Sequence, residues 1–112
     1  MWMFTEHGFV SAVRDPRDTS RLAIRARDLE SLDPLVSLTH QQVLKTPSGD
    51  YPYRVFVEPG DFAGWVAESC WAIDYDNFKS RVARTRGYDY VHALHNVWAA
   101  MRMTEDETAR TS

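Results

Sequence analysis

The sequence predicts an α+β fold: a small antiparallel sheet of three or four strands with two to three helices packed on one face. Three observations point there. Residues 22–27, "LAIRAR", alternate side chains with the period of a half-buried strand. From Pro59 onward, apolar residues recur at the three- and four-residue spacing of a helix. Strands precede helices along the chain, which favours a segregated sheet over alternating strand–helix–strand units.

Phe9 to Val13 and Leu22 to Arg27 read as two strands of a hairpin joined by a long polar loop with a proline and two aspartates. In the second strand Leu22, Ile24 and Ala26 share one side, while Ala23, Arg25 and Arg27 share the other. Asp28 is placed to cap the turn "LESL", and Pro34 suits either a new helical start or a stop. Residues 35–46 fit no single pattern. Gln42 to Thr46 and Tyr53 to Glu58 read as a second hairpin around the turn formers at 47–50, the latter strand being rich in β-branched and aromatic residues. The helix from Pro59 then presents Phe62, Trp65, Val66, Ser69, Cys70 and Ile73 as one stripe. A second helix holds Phe78 and Val82 and stops at Gly87, and a third presents Val91, Leu94, Val97, Trp98 and Met101.

At 112 residues, with 44% apolar composition, the chain suits one domain over residues 1–103. Residues 104–112 read as a disordered acidic tail. The net charge of −3 owes much to Glu105, Asp106 and Glu107, so no global charge advertises nucleic acid or an anionic membrane, and any such binding must rest on a local patch. The single cysteine, Cys70, excludes an intramolecular disulfide and reads as an inert core thiol. The start "MWMFTEHGF" has neither a basic leader nor a long apolar run, and no stretch approaches the length of a membrane span. A cytoplasmic protein is expected.

"DYDNFK" places Asp74, Asp76 and Asn77 like the first ligands of a calcium loop. The sixth and twelfth positions of such a loop need glycine and glutamate; here they are Lys79 and Thr85. The stretch reads instead as helix punctuation, with Asp74 or Asp76 as the cap. Asp89, His92 and Asn96 fall on one side of the last helix with His95 nearby, a weak metal set that His7 or His40 would have to complete. Arg25, Arg27, Arg54 and Phe56 form the third candidate, because correct strand pairing would gather guanidinium and aromatic groups on one sheet face, as in sheets that hold single-stranded nucleic acid. No nucleophile elbow, phosphate loop or dinucleotide fingerprint is present, and no cofactor is expected.

Together, "MWMFTEHGFVSAV", "LAIRAR", "DYPYR", "DYDNFK" and "HALHNVW" resemble a family of short bacterial and actinobacteriophage proteins that open with Met-Trp-x-Phe-Thr and a Gly-Phe pair and carry no assigned activity. The resemblance runs from Met1 to about Met101. It implies a stand-alone domain and a phage or prophage setting, and transfers no functional residue.

The leading expectation is a non-enzymatic module that docks on a cytosolic protein, a host factor if the chain is phage-borne. Its motive is the abundance of aromatic and arginine residues, which are enriched at interfaces. Of the four tryptophans, Trp71 lies one position off the helical stripe and is the interface candidate. Nucleic-acid binding through the arginine-bearing sheet face is the alternative, and a metal-dependent enzyme a third.

Overall fold

Alternating apolar residues commit the first half of the chain to a sheet, and the change of period at Pro59 ends it. A computed structural model describes residues 1–46, 49–106 and 108. The chain divides into two compact units, Met1–Asp76 and Asn77–Ser112, where the sequence reads as one domain. The first unit holds β1 (Trp2–Thr5), β2 (Gly8–Arg14), β3 (Leu22–Ala26), α1 (Asp33–Thr39), β4 (Leu44–Lys45), β5 (Tyr53–Val57) and α2 (Pro59–Trp71). Its five strands form one sheet in the order β1-β2-β3-β5-β4, each neighbouring pair antiparallel.

This is the α+β architecture the sequence predicts, with more strands and helices than expected. The added strand is β1, which pairs Trp2 with Ser11 and Phe4 with Phe9. The strand expected over Gln42–Thr46 narrows to Leu44–Lys45, and residues before it that fitted no pattern form α1. Of the turn expected at 47–50, Pro47 and Ser48 lie outside the described residues.

One sheet face makes the core. Val10, Ala12, Ile24, Ala26, Val55 and Val57 pack with Leu32, with Leu35 of α1, and with Phe62 and Trp65 of α2. Ile24, on the central strand, is fully buried, worth about 1.5–3 kcal/mol relative to exposure. Asp28 Oδ1 accepts from the Ser31 amide at 3.0 Å and from its hydroxyl at 2.6 Å, and Ser31 Oγ accepts from the Phe9 amide at 3.2 Å. A short polar chain thus ties β2 to the turn Glu30–Leu32 that leads into α1.

The α2 stripe is cut short. Phe62 and Trp65 are buried and Val66 partly so, but no later residue of α2 joins the core. Cys70 is therefore exposed rather than a core thiol, and Ile73 is exposed as well. Helical period sets which side of a helix faces the sheet, not how far along the helix its cover extends.

The second unit contains α3 (Phe78–Arg86) and α4 (Tyr88–Met101), which pack on each other. Asn77 Oδ1, rather than Asp74 or Asp76, caps α3 by accepting from the Ser80 amide at 3.0 Å. Asn77 directly precedes the first helical residue and is extended, so its side chain reaches that amide. Gly87, at φ 92°, separates the two helices in a conformation glycine tolerates best. The expected disordered tail falls partly outside the described residues, at Glu107 and 109–112.

Candidate functional site

The face of the sheet opposite the core is built row by row. Antiparallel pairing sets Trp2 opposite Ser11, Ser11 opposite Arg25, Arg25 opposite Arg54, and Arg54 opposite Leu44. A single row therefore crosses all five strands with two arginines side by side at β3 and β5. On one side of it, Val13, Ala23 and Phe56 form the next row, and on the other, Phe4 stacks on Phe9 at 4.7 Å between ring centroids. Trp2 meets Phe9 edge-on at 5.5 Å, and 68% of its surface is exposed.

Tyr51 joins the two chemistries. Its ring lies 6.3 Å from Phe9, with the Arg25 guanidinium 4.7 Å and that of Arg27 5.0 Å from its centroid. Such contacts orient a guanidinium without discharging it. Arg25 Nη2 donates to buried Ser11 Oγ at 2.8 Å and Arg27 Nη1 to the Asp50 carbonyl at 3.0 Å. Nε of Arg25 and of Arg54 are buried without a hydrogen-bond partner among the described residues.

The face is short of negative charge. Among the described residues, no carboxylate comes within ion-pair distance of Arg25, Arg27 or Arg54. Arg21 differs: its Nε donates to Asp15 Oδ2 at 2.7 Å while its guanidinium lies 4.2 Å from the Phe56 centroid. The Arg17 amide and the Arg21 side chain, both donating to Asp15, hold its carboxyl below the ordinary aspartate range. Asp28, Glu30, Asp33, Asp61 and Glu68 belong to the turns and helices of the unit, while Asp15 and Asp18 both lie against Arg21.

The structure thus brings Arg25, Arg27, Arg54 and Phe56 onto one surface and adds Trp2, Phe4, Phe9 and Tyr51, which the sequence reading did not place there. Aromatic residues at Trp2 and Phe4, two apart, are the only alternation the sequence offers for β1. Trp71 ends α2 with 90% of its surface exposed.

The histidine candidates do not converge. Among the described residues no three His, Cys, Asp or Glu side chains gather as a metal set, and Asp89, His92 and His95 lie on α4 without a further ligand. His95 Nδ1 instead lies 3.0 Å from Lys79 Nζ, and its ring stacks on Trp98 at 5.4 Å. No helix among the described residues is long and apolar enough to cross a membrane. Comparison with family models, curated proteins and solved structures returns no match.

Proposed function

We propose that the solvent-facing side of the sheet in the first unit binds single-stranded nucleic acid. The observation that carries this reading is the direct opposition of Arg25 and Arg54, neither with a carboxylate partner among the described residues, beside the exposed Trp2 and the partly exposed Phe4, Phe9 and Phe56, with buried Tyr51 between them. Phosphates suit guanidinium forks, and unpaired bases suit exposed rings, each stacked base contributing about 1–3 kcal/mol. A duplex keeps its bases stacked and paired, so their faces are not offered to exposed rings.

Counterion release sets the test. If Arg25, Arg27 and Arg54 each engage a phosphate, log affinity should fall with log salt at a slope of about −2, or about 20-fold between about 50 and about 200 mM. Fluorescence anisotropy with short labelled oligouridine and oligothymidine would measure it, with an Arg25→Gln/Arg54→Gln double variant as control. Absence of binding, or binding indifferent to salt and to the double substitution, would reject the reading.

A second reading, a non-enzymatic docking module, is favoured by Trp71. An indole 90% exposed beside exposed Cys70 and Ile73 is an apolar patch of the kind partners cover. The partner would be a cytosolic protein, a host factor if the chain is phage-borne. Affinity capture should then retain a stoichiometric protein at high salt, lost on Trp71→Ser; a partner indifferent to that substitution would count against this surface.

A further inference from the structure

We propose that two copies of this chain pair through β1, joining their sheets edge to edge. The inference goes beyond the nucleic-acid reading and does not depend on it. β1 is an outermost strand, with β2 its one neighbour in the sheet. The Met1 nitrogen donates to the Ala12 carbonyl at 2.9 Å, and the Ala12 amide donates back to the Met1 carbonyl at 2.8 Å. Bonded and non-bonded pairs alternate along an antiparallel ladder, so Met3 and Thr5 also bond inward, to Val10 and Gly8. The amides and carbonyls of Trp2 and Phe4 therefore point away from β2. Among the described residues nothing bonds to them.

The two edges of the sheet are treated differently. β4, at the far edge, is two residues long and carries Lys45, and both features discourage strand addition. β1 is longer, holds neither a charged residue nor a proline, and leaves Trp2 68% exposed. Its open main chain is a template for another strand.

A second copy fits that template by symmetry. In an antiparallel pairing centred on Met3, Trp2 faces the partner's Phe4 and Phe4 faces the partner's Trp2, so every outward amide and carbonyl of both residues is matched. Each pair also sets aromatic beside aromatic on the solvent-facing side, and no like charges meet because β1 has none. On the other side Met3, which packs against the core, meets the partner's Met3. A foreign strand would satisfy the same main-chain groups only if it brought matching aromatic neighbours of its own. Two strands this short bury less than about 1,200 Å², the range of weak association, so the dimer should have a Kd on the order of 10 μM.

Sedimentation velocity from about 1 to about 300 μM reads the association. Trp2→Pro and Trp2→Ser separate main chain from side chain. Both remove the indole, but only proline removes the outward amide, and an edge strand tolerates it because the ladder to β2 does not use that amide. Trp2→Pro should weaken dimerisation about tenfold beyond Trp2→Ser, through the interchain hydrogen bond lost from each copy. Circular dichroism identifies a variant that has lost its fold. Disulfide trapping tests the register without proline. In a Cys70→Ser background, Met3→Cys should crosslink two chains, since facing residues of a non-bonded pair stand about 4.5 Å apart. Thr5→Cys should not, because the two copies of that residue would lie about 13 Å apart.

A protein that stays monomeric throughout, with no Met3→Cys crosslink, overturns the proposal. A dimer equally strong in Trp2→Pro and in the unaltered chain also overturns it, as does crosslinking that is as efficient at Thr5→Cys as at Met3→Cys.

Discussion

Replacing Arg54 by methionine should make the protein more stable and a poorer binder. In the folded protein Arg54 stands directly opposite Arg25, with no carboxylate nearby and its Nε unpartnered among the described residues. Arg25 is at least anchored on Ser11 and Tyr51, so Arg54 is the cleaner position to neutralise. Two like charges about 6 Å apart in a largely aqueous dielectric repel by roughly 0.7 kcal/mol, within the range of about 0.2–1 kcal/mol for cross-strand pairs. Methionine keeps most of the aliphatic stem, so little packing is lost. The net gain should be about 0.5 kcal/mol, raising the urea midpoint by roughly 0.3 M for a protein of this size. The gain should vanish near about 1 M salt, where the screening length is about 3 Å. Loss of more than about 0.5 kcal/mol at every salt concentration would refute the reasoning, because it would mean the guanidinium is held for the fold rather than for an anion.

The core and caps give sharper stability tests. Ile24→Ala should cost about 3 kcal/mol by denaturant titration, since the side chain is fully buried on the central strand; a cost below about 1 kcal/mol would contradict that packing. Asn77→Ala should lower helical stability by about 1 kcal/mol, and Asn77→Asp should retain the cap, both read by circular dichroism during unfolding. Asp15 links stability to acid: its folded pKa lies below the unfolded value, so its contribution is complete above the ordinary aspartate range and disappears as pH falls through the folded value. Asp15→Asn should flatten that acid limb, and an unchanged limb would show that the Arg17 and Arg21 contacts do not form in solution.

Period-two alternation sufficed to place Arg25 and Arg54 on strands and to assign Ile24 to the opposite side from Arg25. Their direct opposition was not legible, because register depends on pairing between segments far apart in the chain. Trp2 and Phe4 went unread as strand because a four-residue edge strand has too few alternations to stand out, and it takes its stability from β2. Cys70 and Ile73 illustrate the reverse error: the helical pattern continued correctly while the cover did not. The Trp98 cluster combines α3 and α4 side chains, so the stripe on α4 alone exposed the tryptophan but not Lys79 beside it. Asp74 and Asp76 looked like caps by composition, whereas backbone geometry gives that role to Asn77.

The arrangement of charge in the first unit has a kinetic consequence. Arg25, Arg27 and Arg54 share one side of the sheet, while Asp28, Glu30, Asp33, Asp61 and Glu68 lie in the turns and helices of a unit that carries a surplus of acidic groups. Beyond the physiological screening length of about 8 Å the surplus is largely screened, so a polyanion is neither strongly drawn nor strongly repelled. Inside that distance the local arrangement of charge matters, and the arginine side is the one that would attract a polyanion. If the sheet face binds a strand as proposed, encounters from the arginine side should be more productive than those from the helical side.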